Sequence, residues 1–342
     1  MAPPRATPAH PSSPRPRPCV AVVTHVLNVP VRAVFERLRR EMPADHDARV
    51  ILSTDDPQAA LAGLAEADVE RISRADILRL PFPEKCRADK WEMAGNLDLV
   101  FLEFARRNPG YDQYWFIEYD VHWEGVWSTF FEHFRASPAG VLAASVHRMD
   151  DAPHKEFSSP YPPFVVPQGM AWPREHYLKA FLPICRVSRE ALDALHRGYG
   201  AGLRGHYEVM IPSVAAQNGM AVEDYGGRGA FVRPENQDRF YFAHPETYSH
   251  SPGNFVFRPS QSVLRRRNTL WHPVKPEGVP LWHPLRIEGG VVKSLLEWGK
   301  PHAWRALIRL WFATRWRPLR DPPAGESGAA SAEGGAEAAA AE

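Results

Sequence analysis

The 342-residue sequence has very few cysteines: it contains three, Cys19, Cys86 and Cys185, and they lie far apart. An odd number with no paired spacing argues against a disulfide framework and against a CxxC zinc site, and it suits a reducing compartment. Long apolar runs are missing too, since no stretch reaches the ~18 residues that a membrane-spanning helix needs. We therefore expect a cytoplasmic protein.

Several common catalytic motifs are also missing. The sequence has no G-x-x-x-x-G-K-[ST], no H-E-x-x-H and no G-x-S-x-G, which disfavours P-loop ATPases, zincins and serine hydrolases. GAGLRG at 200–205 matches G-x-G-x-x-G, but it follows a predicted helix instead of a strand, so it lacks the context of a dinucleotide-binding loop. Residues 19–292 carry a net charge of −3, and we therefore expect no nucleic-acid partner.

Proline is abundant, with 34 residues against 23 glycines, and it is unevenly placed. Residues 1–18 form a Pro/Arg-rich head, and residues 321–342 form an acidic Ala/Gly/Glu tail. Both segments have too little apolar surface to offset the entropy of ordering, so we predict that they are disordered. A single folded domain is expected over residues 19–290.

A basic segment at 291–320 follows this domain. Residues 293–320 carry a net charge of +6, and a helix there would place Arg305 and Arg309 opposite Trp304. Two interpretations of this amphipathic helix stay open. It packs its apolar side onto the domain, or it makes peripheral contact with the inner face of a membrane, where anionic lipid attracts it.

The folded part opens with a β-α-β pattern. CVAVVTHV (19–26) is an apolar run typical of a buried strand, Val31 to Arg40 has helical periodicity, and ARVILSTDD (48–56) is a second buried strand. This pattern predicts an α/β fold of Rossmann type, with a mostly parallel sheet flanked by helices.

Further elements are predicted downstream. DKWEMAGNLDLVFLEFARRN (89–108) starts like a capping box and ends at Asn-Pro-Gly, which indicates a helix. The remaining predictions are a strand at 111–121, a strand at 140–147, a helix starting at Ser188, a helix, turn and short strand within 210–225, and irregular structure packed over the sheet at 234–284.

Polar side chains follow the predicted strands, at the edge where ligands bind in an open α/β sheet. These are Thr24, His25 and Asn28 after the first strand, Asp55 and Asp56 after the second, and Glu118, Tyr119 and Asp120 after the WFI strand. Glu118 and Asp120 are two residues apart, so both side chains project to one face and can converge on a hard cation such as Mg²⁺ or Mn²⁺. The alternative is an acidic, exposed strand end.

These segments resemble a known family. The β-α-β opening, DKWEMAGNLDLVFLEFA and YWFIEYDVHWEGVW are similar to the GT-A fold of nucleotide-diphosphosugar glycosyltransferases, in members that have E-x-D in place of D-x-D. The resemblance covers about residues 19–275, and it implies that the predicted domain at 19–290 is a GT-A-like catalytic domain. It implies that Asp120 ligates a divalent cation, and that Glu118 ligates the same ion or contacts the nucleotide ribose.

The resemblance also implies a later histidine that completes the metal site and a lysine that holds a phosphate. LWHPVK (270–275) supplies His272 and Lys275, whereas LWHPLR (281–286) repeats the pattern with His283. We favour His272 because a run of arginines precedes it. The donor-binding set that we predict is Thr24, His25, Asn28, Asp55, Lys90 and Lys275.

The acceptor side is less marked in the sequence. HYEVMIP (206–212) resembles the segment that presents an acid to the acceptor in GT-A enzymes. Glu208 therefore either deprotonates the acceptor hydroxyl or is a first-turn acid that the helix dipole favours. Asp224 is the competing candidate. Trp123, Trp127 and Trp172 offer faces for stacking on a sugar, although core packing is the more common role of tryptophan.

The resulting prediction is a metal-dependent glycosyltransferase that moves a sugar from a nucleotide-diphosphate donor to a hydroxyl of a carbohydrate or lipid-linked acceptor. Two other classes remain open. A metal-dependent nucleotidyl or phosphoryl transferase would use the same carboxylates, but the first strand ends in THVLNVP with no glycine for a phosphate loop. A non-catalytic carbohydrate-binding or membrane-associated scaffold would keep the fold without needing the metal.

Overall fold

The structure is a computed structural model, and it describes residues 17–82, 84–86, 95–149, 164–241 and 267–274. All of these residues belong to one compact unit, Met1–Pro284, while the second unit, Leu285–Glu342, lies outside the described residues. The predicted basic helix at 291–320 and both predicted disordered tails therefore stay predictions, except that Pro18 already begins the first strand.

A seven-stranded sheet forms the centre of the unit, and a two-stranded sheet lies beside it. The strands are, in chain order, β1 (Pro18–Thr24), β2 (Asp47–Ser53), β3 (Val69–Ile72), β4 (Gln113–Glu118), β5 (His122–Trp123), β6 (Val141–Arg148), β7 (Leu178–Ser188), β8 (Val222–Asp224) and β9 (Leu270–Trp271). The large sheet has the order β3-β2-β1-β4-β7-β6-β8. Only β7 runs antiparallel to its neighbours in this sheet, so the mostly parallel α/β architecture is confirmed.

Helices cover both faces of the sheet. They are α1 (Val29–Glu41), α2 (Arg74–Leu78), α3 (Leu97–Arg107), α4 (Trp127–Phe134), α5 (Arg189–Gly200) and α6 (Tyr207–Gln217). Apolar residues of α3, α5 and α6 join one core, and those of α1 and α4 join the other. Among the described residues, no helix combines the length and apolar character needed to cross a lipid bilayer.

Strand β1 shows why a continuous apolar run makes a central strand. Cys19, Ala21 and Val23 belong to the core on one face, whereas Val20 and Val22 belong to the core on the other. Successive side chains of a strand point to opposite faces, so a strand covered on both sides needs apolar residues at every position.

The predicted helix over 89–108 is wrong in its starting point, because α3 begins at Leu97. Gly95 has φ of +93°, which is incompatible with an α-helix. A Cβ at this position would lie 2.8 Å from Cδ2 of His206, so the close approach of α6 also requires glycine there. Residues 87–94 lie outside the described part of the chain.

Two strand ends and one whole strand differ from the sequence-based expectations. Strand β2 ends at Ser53, so Asp55 and Asp56 lie in the loop that follows it. Strand β4 ends at Glu118, and the short strand β5 comes after a turn. Strand β7 was not expected at all, although it is the longest strand of the sheet.

Candidate metal centre

Three side chains form a cluster at the carboxyl edge of the central sheet. The ligand atoms of Glu118, Asp120 and His272 all lie within 4.8 Å of one another. Nε2 of His272 is 3.3 Å from Oε2 of Glu118 and 3.5 Å from Oδ1 of Asp120. The structure thus brings together the three residues that were predicted as metal ligands.

The two carboxylates are positioned by the end of β4. Glu118 is the last residue of this strand, and the backbone N–H of Tyr119 still donates to the carbonyl oxygen of Val23 in β1, at 3.1 Å. The chain then turns, and the N–H of Val121 donates to the carbonyl of Glu118 at 2.9 Å. Asp120 therefore lies just beyond the edge of the sheet.

The two-stranded sheet brings the histidine to this edge. His122 pairs with Trp271, and Trp123 pairs with Leu270, in antiparallel register. Beyond the ladder, the N–H of Val274 donates to the carbonyl oxygen of Asp120 at 2.7 Å. His272 lies between these two attachments, so the backbone fixes its position beside Asp120.

The cluster is buried on one side. As whole residues, Asp120 is 4% exposed and His272 is 9% exposed. The side chain of Glu118 is 27% exposed. The ring of Phe181 in β7 packs edge-on against the His272 ring, with centroids 5.4 Å apart. Glu118 is therefore the most exposed of the three side chains.

The donor set fits a divalent cation. Ligands about 2.1 Å from an ion and 90° apart lie about 3 Å from each other, close to the 3.3 and 3.5 Å separations from Nε2 of His272. Two carboxylates and an imidazole suit a first-row divalent ion such as Mn²⁺, and two carboxylates alone also accept Mg²⁺.

The predicted donor-binding residues lie at neighbouring strand ends. Oγ1 of Thr24 donates to the carbonyl of Val26 at 2.5 Å, and Oδ1 of Asn28 accepts from the N–H of Val31 at 3.0 Å, so Asn28 caps α1. The ring of His25 lies 5.6 Å from that of Tyr119, the residue between Glu118 and Asp120. Their roles toward a nucleotide stay predictions.

Asp55 lies farther along the same edge, where its Oδ1 accepts from the N–H of Arg74 at 2.7 Å, at the first residue of α2. Lys90, Lys275 and the alternative histidine His283 lie outside the described residues, so the choice between the two histidines rests on the position of His272 in the cluster.

The two candidate bases differ in their surroundings, and neither belongs to the cluster. Glu208 lies in the first turn of α6, with Oε2 3.9 Å from Nδ1 of His206. Burial lowers the pKa of His206 to about 4 and that of the nearby Lys179 to about 8, while the charge of Glu208 opposes the second shift. Glu208 thus belongs to a buried polar cluster at the start of α6.

Asp224 is 1% exposed, and its carboxylate holds the backbone in place. The hydroxyl of Tyr241 donates to both of its oxygens at 2.8 Å, and the N–H groups of Val146 and Gly226 donate at 3.0 and 2.9 Å. Burial raises the pKa of Asp224 to about 7, although these hydrogen bonds act in the opposite direction. A carboxylate so engaged fits a structural role better than that of a base.

The tryptophans divide between the two roles considered for them. Trp123 and Trp127 are 1% and 3% exposed and pack in the core, so stacking on a sugar is excluded for them in this structure. Trp172 is partly buried and packs against Phe164, with ring centroids 4.9 Å apart. Phe181 was missed as a neighbour of the site, because an apolar residue in an unrecognised strand carries no chemical signal.

Comparisons with known proteins add little to this geometry. No family model and no curated protein sequence matches the chain. Among solved structures, the chain is similar to the crystal structure of mouse xyloside xylosyltransferase 1 in its apo form. The two are 12% identical, the match covers 63% of this chain and 88% of that chain, and the TM-score is 0.31.

Proposed function

We propose that the protein is a metal-dependent glycosyltransferase that uses a nucleotide-diphosphate sugar as donor. The observation that carries this proposal is the convergence of Glu118, Asp120 and His272 at the carboxyl edge of a mostly parallel sheet. Ligands of open α/β sheets bind at this edge. The resemblance of YWFIEYDVHWEGVW to the acidic segment of GT-A enzymes assigns the donor to the same place.

Asp120 and His272 are the buried pair of the cluster, and in this proposal they hold the cation. Glu118 is half-buried, so it either completes the ligand set or reaches the ribose of the nucleotide. The bound cation supplies positive charge that stabilises the departing diphosphate. The segment from Thr24 to Asn28 follows from the end of the neighbouring strand β1, and we assign it to the nucleotide for that reason.

Glu208 is the residue that we propose for the acceptor side. The proton of the acceptor hydroxyl goes to the Glu208 carboxylate, while the hydroxyl oxygen bonds to the anomeric carbon and the bond from that carbon to the diphosphate oxygen breaks. Asp224 is the weaker candidate because three donor groups already surround its carboxylate.

A thermal-shift screen of the full-length chain tests the proposal. UDP-, GDP- and CDP-sugars are each added with and without Mn²⁺, since a ligand that binds the native state raises the melting temperature. We expect a shift with one nucleotide class, only when Mn²⁺ is present, and its loss in Asp120→Asn. Glu124→Gln is the matched control, because this carboxylate also pairs with a histidine, His122 at 2.9 Å, but lies outside the cluster.

The products separate the three functional classes. Transfer of a sugar releases a nucleoside diphosphate, whereas transfer of a nucleotidyl group releases a sugar phosphate or pyrophosphate. A shift with Mn²⁺ and donor but no product with any acceptor supports a non-catalytic scaffold. A donor-induced shift that persists in Asp120→Asn would refute the metal centre.

A further inference from the structure

The end of β5 is attached to α1 by one arginine. Arg37 lies in the third turn of α1, and its Nη2 donates to two carbonyl oxygens, that of Trp123 at 2.9 Å and that of Gly125 at 2.6 Å. Its Nε donates to Oε1 of Glu41 at 3.0 Å. A guanidinium that is held by a carboxylate and donates to two carbonyls is a charge-assisted, rigid attachment.

The same turn is attached a second time through the partner of Arg37. Oε2 of Glu41 accepts from the N–H of Trp127 at 3.4 Å, at the first residue of α4. The turn between β5 and α4 has no room for a larger residue, because a Cβ at Gly125 would lie 2.7 Å from Oδ1 of Asn268. The Arg37–Glu41 pair is thus hydrogen-bonded to a tightly packed turn.

This turn is continuous with the strand that carries His272 to the site. The N–H of Glu124 donates to the carbonyl of Thr269 at 3.0 Å, and the N–H of Asn268 donates to the carbonyl of Glu124 at 2.8 Å. Trp123 then pairs with Leu270, and His272 follows two residues later. Only two residue pairs of the β5–β9 ladder separate His272 from the turn that Arg37 contacts. A displacement of this turn therefore also displaces His272.

A ladder this short does not hold its own register. Two-stranded ribbons are marginally stable in water and depend on packing against the rest of a domain. One end of β5 is anchored at the ligand, because Asp120 continues from β4, and the other end is anchored at Arg37. Arg37 therefore fixes the end of β5 that lies away from Asp120, and the bond from the N–H of Val274 to the carbonyl of Asp120 fixes the other side of the pairing.

We infer that Arg37 determines the cation affinity of the cluster without touching it. This inference rests on the proposed metal centre. Groups that hydrogen-bond directly to metal ligands change metal affinity by about 10- to 100-fold when they are removed, and Arg37 acts one step farther out, so the lower end of this range applies. For Arg37→Ala we expect the dissociation constant of Mn²⁺ to rise about 10-fold.

Helix α1 offers a closely matched control. Arg32 donates through Nε to Glu36 at 2.8 Å, in the same i,i+4 arrangement as Arg37 and Glu41, and it also donates to a backbone carbonyl, that of Ala62 at 3.0 Å. This carbonyl belongs to the loop between β2 and β3, which does not lead to His272. Arg32→Ala should leave the Mn²⁺ affinity within about 2-fold of the wild type.

The experiment is a titration of the full-length protein with Mn²⁺ alone, followed by the electron paramagnetic resonance signal of the free ion. The visible spectrum of Co²⁺ bound to the same variants reports the geometry of the site, and urea unfolding reports stability. A lysine at position 37 can reach one of the two carbonyls, so Arg37→Lys should bind Mn²⁺ more tightly than Arg37→Ala does. Arg37→Gln keeps part of the side-chain stem without the charge and should bind no better than Arg37→Ala.

Two results would overturn the inference, and they differ in meaning. Equal Mn²⁺ affinities for Arg37→Ala and Arg32→Ala would show that Arg37 is only structural, while the metal centre itself stands. Wild-type protein that fails to bind Mn²⁺ would refute the metal centre and the inference with it. If the alanine variant does not fold, the comparison of Arg37→Lys with Arg37→Gln decides the question.

Discussion

The backbone N–H of Val274 donates to the carbonyl oxygen of Asp120 at 2.7 Å, and this bond joins the two halves of the candidate metal centre. His272 lies two residues before Val274, and Asp120 supplies both the carbonyl that accepts the bond and the carboxylate that faces the ring. The ligand pair is therefore fixed by backbone geometry instead of by side-chain packing alone.

Replacing the histidine should weaken the centre and leave the fold intact. We expect His272→Gln to raise the dissociation constant of Mn²⁺ at least 10-fold, because the amide is a weaker ligand than imidazole. His122→Gln is the matched control, since His122 pairs with Glu124 and does not belong to the cluster. Isothermal titration with Mn²⁺ measures both, and an unchanged affinity in His272→Gln would assign the ion elsewhere.

The stability of the fold should depend on the protonation of Asp224. Burial raises its folded-state pKa from 3.8 to about 7, so the folded chain binds this proton more tightly than the unfolded chain does. The contribution to stability is complete below about pH 4 and is lost as the pH rises through about 7, by on the order of 4 kcal/mol.

Asp224→Asn should remove this pH dependence, and urea unfolding between pH 4.5 and 7.5 measures it. Asp112→Asn is the control, because Asp112 is exposed and accepts only from the N–H of Arg17 among the hydrogen bonds described for its side chain. Parallel stability curves for the wild type and Asp224→Asn would contradict the prediction.

Arg186 should be one of the costliest residues to remove. It is 1% exposed in β7, and it donates to the carbonyl oxygens of Phe134, Ser137 and Ala139 at 2.8, 2.8 and 3.0 Å. Arg186→Ala leaves these carbonyls without the donor, and we expect a loss of about 3–5 kcal/mol in the free energy of unfolding.

Arg135→Ala is the control at the surface for Arg186→Ala. The Arg135 side chain is 35% exposed and pairs with Asp45 and Glu132. Exposed pairs contribute about 0–1 kcal/mol, so the urea midpoint should move little. Similar shifts of the urea midpoint in Arg186→Ala and Arg135→Ala would show that the burial of Arg186 does not increase its contribution to stability.

Gly95→Ala tests the start of α3. The positive φ and the 2.8 Å approach to His206 both oppose a side chain there, so we expect a loss of about 1–3 kcal/mol in the free energy of unfolding. A Cβ at Gly110 would have no atom within 4 Å, so Gly110→Ala should leave the stability almost unchanged. Thermal unfolding measures both variants. Equal melting temperatures for the two variants would contradict this account.

The elements that the sequence predicts are those whose signal is local. Strand β1 is an unbroken apolar run, and Ser188 caps α5 through a bond from the N–H of Ala191, so both were recognisable. Strand β7 was not, because Lys179, Pro183 and Arg186 interrupt its apolar pattern. Lys179 and Arg186 are buried next to other elements of the fold, and no local sequence pattern reports such long-range contacts.

The site shows the same division. Glu118 and Asp120 follow from their spacing at a strand end, and His272 follows from the family resemblance. The means of bringing them together did not follow, since it depends on two strands of two residues each and on an arginine in a distant helix. Pairings that short fall below any periodicity that a sequence window can detect.

The separation of the ligands along the chain has a consequence for biosynthesis. Glu118 and Asp120 leave the ribosome long before His272, and the pairing of β5 with β9 is a long-range contact that forms slowly compared with local structure. A nascent chain or a premature truncation therefore presents two carboxylates without their imidazole. In the proposed metal centre, the cation therefore meets its full ligand set only after synthesis has passed His272.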